Sequence, residues 1–413
     1  MKQFSLALVF VALVGAAALA SGPASNGKFM PVEEVRAGMK GHGFSVFQGN
    51  KPERFEVEIL GQLQGFNNPR QSIIIARLSG PLVDRTSVFA GMSGSPVYID
   101  GKLIGAVAYA FPFAKEPIAG IQPIQYMIDI FERGAEEGKR VGQRLSFNTL
   151  TATTSDPNAP AAPTARVSPS AAANPAMVPY IGQTIVPIAT PVTFSGVPQA
   201  VVDMFAEDLK KIGLQPMAGL GGGTSMGPMV AADETTLAPG TSVSVQLTRG
   251  DVNIAAAGTV TYRDGDRIYA FGHPFLGSGQ TSWPMAESGV VTVVPNLNNS
   301  FKLSTSGNLV GAISQDRSTG VFGKLGEKPR MVPVEMKVLT SRNKTESYNF
   351  EMVSDSFLTP LLMKIAMVSA ISATEREVGN HTVKLRGRII VDGQPDVVLD
   401  NSFSMPGGAV IFA

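Results

Sequence analysis

Apolar and polar residues alternate over much of this chain, which predicts a β-rich protein. Phe55, Val57 and Ile59 alternate with Glu56 and Glu58, the two-residue period of a half-buried strand. Further strands are predicted over residues 72–78, 241–247, 252–262 and 267–271. The chain also has 44 glycines and 29 prolines, a composition that favours turns and short strands over a helical bundle.

Three segments have apolar residues at helical spacing instead. They span residues 124–137, 197–212 and 357–373. The third is strongly apolar, but it contains Lys364 and has only about seventeen residues, which is short for a membrane span. We therefore expect a buried core helix there.

The segment 90–96 reads Ala-Gly-Met-Ser-Gly-Ser-Pro and predicts a tight glycine turn that presents Ser93. Asp100-Gly101, flanked by apolar residues, predicts a type I′ hairpin directly behind it. Most Gly/Ser loops have no catalytic role. In this setting, however, Ser93 fits a nucleophile, and the N–H groups of Gly91 and Ser93 could form an oxyanion hole.

A serine nucleophile needs a base and usually a group that orients the base. His273 lies between Gly272 and Pro274 after a predicted strand, so a rigid loop would present its imidazole; the alternative is a turn histidine bonded to a local carbonyl. His42 is the weaker candidate for the base. For the orienting acid, no spacing singles out one residue. The candidates, each of which fits a turn or surface position better, are Asp84, Asp264, Asp266 and Asp316.

Composition excludes several kinds of site. The 413 residues include no cysteine, which excludes disulfides, thiol catalysis and cysteine zinc sites. Three histidines leave little for a histidine-rich metal site, and we expect no metal or other cofactor. The net charge is +1 without a basic block, so we expect no nucleic-acid partner.

The first twenty residues have the pattern of a cleaved signal peptide. Lys2 precedes the apolar stretch 6–19, and Ala18-Leu19-Ala20 suits a cleavage site. An uncleaved membrane anchor is the alternative, but the stretch is short for it. We expect an exported protein, periplasmic or extracellular, with no stable membrane span after cleavage.

The residues around Ser93 and His273 resemble the stage IV sporulation protein B serine peptidase family. The Gly-Met-Ser-Gly-Ser-Pro turn with its hairpin resembles that family's nucleophile segment. Residues 258–262 with 270–273 resemble its catalytic-histidine segment, and residues 319–325 resemble another stretch of the same domain. The family has the histidine segment first, whereas here Ser93 comes first. The resemblance therefore implies a circular permutation with residues 151–240 inserted.

This resemblance implies that Ser93 is the nucleophile and His273 the base. The family's aspartate lies in an Asp-Pro pair, whereas residues 77–81 here read Arg-Leu-Ser-Gly-Pro. Asp84 could replace this acid only if its loop had a different conformation that directs the carboxylate toward His273. Two arrangements therefore remain as alternatives. One is a Ser–His–Asp triad, and the other is a Ser–His dyad in which a backbone carbonyl or a remote aspartate orients His273.

The resemblance also implies a chymotrypsin-like double β-barrel assembled from two sequence segments, with a few helices. The expected divisions are a signal peptide over 1–20, a serine segment over 30–150, an Ala/Pro/Thr linker over 151–178 and an inserted region over 179–240. A histidine segment over 241–345 and a C-terminal region over 346–413 complete the chain.

Two functions follow from these residues. The first is an exported serine endopeptidase that cleaves a peptide or protein substrate, with self-cleavage in the linker as an option. The second is an inactive peptidase-fold scaffold that binds partners in the cell envelope, which the missing acid favours. A carbohydrate-active enzyme ranks third, because Trp283 is the one tryptophan available as a sugar platform.

Overall fold

The computed structural model describes residues 27–66, 69–134, 165–167, 175–219, 226–374 and 381–405. The signal segment, most of the linker and the last eight residues lie outside these ranges. The described part is mainly β, as predicted. The first strands and helices are β1 (Lys40–Ser45), β2 (Glu53–Gln64), β3 (Ser72–Ser79), α1 (Val83–Thr86), β4 (Pro96–Ile99), β5 (Lys102–Ala110), β6 (Ile118–Pro123) and α2 (Ile124–Gly134).

The first six strands close into a barrel. They pair in the order β4-β1-β2-β3-β6-β5, and β5 pairs again with β4. The inward side chains are apolar and buried, among them Ile74, Val97 and Val107. Asp100 and Gly101 both have positive φ, at 49° and 74°, as the type I′ turn between β4 and β5 requires. Two short strands, β7 (Ala165–Arg166) and β8 (Thr184–Pro187), extend this sheet beyond β5.

The second half of the chain forms a second sheet of ten strands. Its elements are β9 (Thr190–Ser195), α3 (Gln199–Lys211), β10 (Leu214–Ala218), β11 (Ser242–Gly250), β12 (Asn253–Asp264), β13 (Arg267–Ala270), β14 (Gly279–Val294), β15 (Phe301–Arg317), β16 (Gly320–Leu325), β17 (Met331–Leu339) and β18 (Thr345–Val353). Within it, β11-β12-β13-β16-β15-β14 form a closed circuit, because β11 pairs with both β12 and β14. Two six-stranded barrels therefore follow one another along the chain.

Two helices pack against the core of the second sheet. The helix α4 (Leu358–Thr374) packs with α3 against the largest apolar core, which includes Phe194 and Leu247. A hairpin of β19 (His381–Ile389) and β20 (Val397–Met405) forms a separate small sheet. No helix in the described ranges is long and apolar enough to span a membrane.

The prediction of a double β-barrel is confirmed. Each barrel is built from one continuous segment, and the barrel that carries Ser93 precedes the one that carries His273. The predicted helices over 124–137, 197–212 and 357–373 correspond to α2, α3 and α4; residues 135–137 lie outside the described part, and the ends of α3 and α4 differ by one or two residues. The predicted domain divisions and the circular permutation stay predictions.

One contact between the two barrels lies at residues 90–95, which we call the Ser93 turn; another is the apolar packing of α2 and β5 against β13 and β16. The backbone N–H of Thr259 on β12 donates to the Ser93 carbonyl at 2.9 Å, and the Thr261 hydroxyl donates to the Gly94 carbonyl at 2.8 Å. Gly94 has φ +94°, and a Cβ on it would lie 1.9 Å from the Thr259 oxygen. The approach of the two backbones therefore requires glycine at this position.

Replacement of Gly94 by alanine should separate the barrels. Gly101→Ala is the matched control, because Gly101 also has positive φ but no atom within 4 Å of its missing Cβ. We expect Gly101→Ala to cost about 1 kcal/mol of unfolding free energy from backbone conformation alone. Gly94→Ala should cost at least about 3 kcal/mol more, from overpacking. Urea unfolding of the two variants measures the difference, and equal losses would contradict the tight contact.

Candidate active site

The Ser93 turn is held by its own backbone and by two glycines. Gly91 and Gly94 both have positive φ, at +89° and +94°. The N–H of Met92 donates to Phe89, and both the N–H and the hydroxyl of Ser95 donate to the Met92 carbonyl. Among the described residues, no acceptor faces the N–H groups of Gly91 and Ser93. The turn therefore leaves two backbone donors unused, which is the arrangement that an oxyanion hole requires.

The Ser93 side chain is enclosed and unbonded. The residue is 0% exposed, and its hydroxyl has no hydrogen-bond partner within the described structure. A buried hydroxyl without a partner costs free energy, and such groups are rare in folded proteins. The Ser93 hydroxyl is thus kept free at the junction of the two barrels.

His273 reaches the same junction from the second barrel. Gly272, with φ +74°, packs against β5, where its Cβ would lie 3.0 Å from the side chains of Ala106 and Ala108. The strand β5 also holds the Ser93 turn, since the Val107 carbonyl accepts from the Gly94 N–H at 2.8 Å. The loop that begins after β13 therefore brings His273 to the strand that anchors the Ser93 turn.

The imidazole of His273 is buried and has one partner. Its Nδ1 lies 2.8 Å from the carbonyl of Pro274. Because a carbonyl only accepts, Nδ1 carries the proton in the neutral ring, and Nε2 is left with its lone pair. Nε2 has no hydrogen-bond partner among the described residues. The Pro274 carbonyl thus fixes the tautomer that a base acting through Nε2 needs.

Burial also keeps this imidazole neutral. It lowers the pKa of His273 from 6.5 to about 4, and the hydrogen bond to Pro274 opposes part of the shift. The ring is therefore uncharged and able to accept a proton throughout the neutral range. The Ser93 Oγ and the His273 Nε2 both lack a hydrogen-bond partner in the described structure, so no hydrogen bond joins the two side chains.

Asp316 corrects the expectation of a turn or surface carboxylate near His273, because it is fully buried on β15. Its two oxygens accept from the N–H groups of Phe275 and Leu276 at 2.8 Å and of Ser278 at 3.0 Å. Burial raises the pKa of Asp316, and these backbone donors oppose the rise. Asp316 therefore shapes the loop after His273 without contacting the imidazole.

The other candidates lie at exposed positions. Asp84 is exposed on α1, where its carboxylate accepts from the Gly80 N–H at 3.3 Å, and no contact in the described structure joins it to His273. Asp264 and Asp266 are exposed at the turn between β12 and β13. His42 lies on β1 with its ring stacked on Tyr98.

Sequence reasoning missed a lysine at this junction. Lys302 on β15 is 0% exposed, and its amine donates to the Thr259 hydroxyl at 3.0 Å. Burial alone lowers the pKa of Lys302 from its ordinary 10.5 to about 7. In the sequence, Lys302 stands between the apolar residues Phe301 and Leu303. This alternation predicts that the two apolar residues are buried and that the lysine is exposed, so the pattern alone could not find the buried amine.

Comparison with known proteins identifies one family. Residues 25–127, about a quarter of the chain, match the family model for SpoIVB peptidase S55. The match includes the Ser93 turn and ends at the start of α2, so it lies within the first barrel and its flanks. No curated protein and no solved structure matches the chain.

Lys302→Met should make the protein more stable at neutral pH. The unfolded chain holds this proton up to about pH 10.5, whereas the folded protein releases it near pH 7. The free energy of unfolding of the wild type therefore rises with pH between these values. We expect the advantage of the methionine variant to shrink by about 2 kcal/mol from pH 7 to pH 9.

Urea unfolding of both proteins at pH 6, 7, 8 and 9 measures this difference. Taking the difference between the variants cancels the titration of all other groups. The control is Lys324→Met, since Lys324 is an exposed lysine on β16. A stability difference between wild type and Lys302→Met that does not change with pH would contradict a buried amine with a lowered pKa.

Proposed function

We propose that this chain, whose residues 25–127 match the SpoIVB peptidase S55 family, is an exported serine endopeptidase with Ser93 as nucleophile and His273 as base. One observation carries the proposal. The Ser93 hydroxyl and the His273 Nε2 are both buried at the same junction, and neither has a partner. Buried structural polar groups usually find a partner, whereas a nucleophile and its base must stay available for substrate, and here a free hydroxyl and a free imidazole nitrogen occur at one junction.

In the first half of the reaction, the Ser93 Oγ attacks the carbonyl carbon of the scissile peptide bond. Its proton passes to the His273 Nε2, whose lone pair is kept free because Nδ1 donates to Pro274. The N–H groups of Gly91 and Ser93 stabilise the negative charge on the carbonyl oxygen of the tetrahedral intermediate. His273 then gives the proton to the leaving amine, which leaves an acyl-enzyme on Ser93.

In the second half, water replaces the amine. His273 takes a proton from the water, the hydroxide attacks the ester carbonyl, and Ser93 leaves with that proton. The Pro274 carbonyl does part of what an aspartate does in a triad, because it fixes the tautomer of His273. It carries no full negative charge, so it stabilises the imidazolium less than a carboxylate would.

The described site is closed to substrate. Ser93 and His273 are 0% and 2% exposed, and Pro191 on β9 lies over the turn, 3.1 Å from where a Gly91 Cβ would be. Catalysis therefore requires the segments above the Ser93 turn to move. A closed site with free reactive groups fits a peptidase that opens for a protein substrate.

The alternative is an inactive peptidase-fold scaffold. Two observations favour it: no carboxylate contacts His273 in the described residues, and Ser93 and His273 are not hydrogen-bonded to each other. Under this alternative, the junction serves only to hold the two barrels together, and no base removes the proton of the Ser93 hydroxyl. The two functions therefore differ in the reactivity of Ser93.

Export and self-cleavage belong to the same proposal. Residues 1–20 have the charge and apolar pattern of a cleaved signal, which supports export. Residues 151–178 are rich in Ala, Pro and Thr, a composition typical of accessible linkers, which supports self-cleavage in this range outside β7 and the buried Val167 and Met177.

A fluorophosphonate probe should label Ser93 and no other serine. We expect Ser93→Ala to abolish labelling, and His273→Ala to slow it by about a thousandfold through loss of the base. The rate should fall only near pH 4 on the acid side, because burial lowers the pKa of His273 to about 4. Intact-mass spectrometry measures the labelling and would also show self-cleavage as two fragments that Ser93→Ala lacks.

Ser45→Ala is the control, because Ser45 is also fully buried with an unpartnered hydroxyl but lies in β1. It should keep the wild-type rate. Folded wild type that stays unlabelled, or labelling that persists in Ser93→Ala, would reject the peptidase and favour the scaffold.

Asp316→Asn should slow labelling by about a hundredfold, because a loop shifted by about 1 Å misplaces the base. The asparagine keeps the shape but cannot accept all the backbone donors that hold residues 275–278. Asp266→Asn and Asp84→Asn, at exposed positions, are the controls and should label at the wild-type rate. A loss in Asp84→Asn with none in Asp316→Asn would make Asp84 the supporting acid.

A further inference from the structure

Lys302 contacts the Ser93 turn through both its backbone and the aliphatic part of its side chain. Its backbone N–H donates to the Ala90 carbonyl at 2.9 Å. Its Cβ and Cδ lie 3.1 and 3.2 Å from the point that a Cβ on Gly91 would occupy. The aliphatic part of Lys302 therefore forms the wall against which the first residues of the turn rest.

The amine of Lys302 is connected to the turn through one side chain. It donates to the Thr259 hydroxyl at 3.0 Å, and this hydroxyl donates to the Gly91 carbonyl at 3.0 Å. Thr259 also donates its backbone N–H to the Ser93 carbonyl. Thr259 thus fixes both ends of the peptide segment whose N–H groups are unused, and Lys302 orients the hydroxyl that makes one of these bonds.

Within the described residues, no opposite charge acts on this amine. The elements packed against it contribute Thr259 from β12, the Ser93 turn, Pro191 from β9 and Val293 from β14. In the described residues, no ion pair includes Lys302, and burial is the one cause of its lowered pKa. An uncompensated buried amine is costly, and a methionine would fill similar space without that cost. The amine therefore contributes something other than packing.

We propose that Lys302 is a positioning residue for Ser93, which holds the Gly91 carbonyl through Thr259 and so directs the free N–H groups of Gly91 and Ser93. This role rests on the proposed peptidase function. It assigns proton transfer to His273 and makes Lys302 a support of the oxyanion hole.

The strength of this support depends on the charge of the amine. A charged donor makes a hydrogen bond about twice as strong as a neutral one, and it polarises the Thr259 hydroxyl toward the Gly91 carbonyl. The pKa of Lys302 is lowered to about 7, so the amine is charged below neutral pH and neutral above it. The turn is therefore held most firmly below pH 7.

The Ser93 amide can be observed by itself, because Met-Ser occurs once in the sequence, at Met92-Ser93. Protein labelled with carbonyl-¹³C methionine and ¹⁵N serine gives one amide signal in a carbonyl-selected NMR spectrum. We expect this signal to shift with an inflection near pH 7 in wild type and in His273→Ala. Lys302→Met should show no inflection. An inflection that survives in Lys302→Met, or none in wild type, overturns the proposal.

Fluorophosphonate labelling measures the consequence for reactivity. At pH 6, Lys302→Met and Thr259→Val should label about tenfold more slowly than wild type, as expected for a misdirected turn. The ratio of wild-type to Lys302→Met rates should approach one at pH 8.5. Thr259→Ser keeps the hydroxyl and should recover most of the rate that Thr259→Val loses. Circular dichroism checks that each variant is folded.

The two proposals fail separately. Unlabelled wild type with a pH 7 inflection that Lys302→Met removes rejects the peptidase but keeps the coupling of Lys302 to the turn. Labelled wild type with no such inflection keeps the peptidase and rejects the role of Lys302. A rate that rises through pH 7, and loses this rise in Lys302→Met, also overturns the positioning role, because the amine would then be the base itself.

Discussion

The close contact between the Ser93 turn and β12 is the constraint on which the rest of the molecule depends. It joins two barrels whose main apolar clusters are largely distinct, beside a smaller cluster in which Leu103 and Phe131 pack with Tyr269. Backbone hydrogen bonds from Thr259 and the absence of a side chain at Gly94 make the contact. The Ser93 hydroxyl therefore lies within the contact that joins the barrels.

This arrangement has an energetic cost. Ser93, His273 and Lys302 are buried with unpartnered atoms, a lowered pKa or both, and each of these states is less favourable than the same group in water. Two well-packed barrels supply the stability against which this cost is set. Proteins commonly keep such unfavourable groups at sites where availability matters more than stability.

The sequence predicted the elements in which pattern and burial agree. Hydrophobic residues recur with a clear period in the strands around residues 55–59 and 72–78 and in the three helices. The Asp100-Gly101 dipeptide strongly favours one turn geometry. The hairpin of β14 and β15 had no clear signal. Its buried positions include Ser288, Lys302 and Ser304, so polar residues occupy the buried face there, whereas alternation alone would predict apolar residues on that face.

Part of the candidate site was predictable because its residues lie in segments with local sequence signals. The Ser93 turn and the Gly272-His273-Pro274 loop have local glycine and proline signals, so the residues could be singled out from the chain alone. The partner of His273 could not be identified in this way, because it is a backbone carbonyl with no residue identity of its own. The role of Asp316 depends on a strand and a loop about forty residues apart, and only the folded barrel brings these together.

The order of the two barrels has a consequence for biosynthesis. Ser93 and His273 are about 180 positions apart, and each is carried by its own barrel. Domains fold as units, N-terminal first, at roughly 5 to 20 residues synthesised per second. The first barrel therefore leaves the ribosome roughly 10 to 40 s before the loop that carries the imidazole. During that interval the nascent chain contains Ser93 without His273, so the proposed nucleophile and its proposed base can meet only after the second barrel has been synthesised.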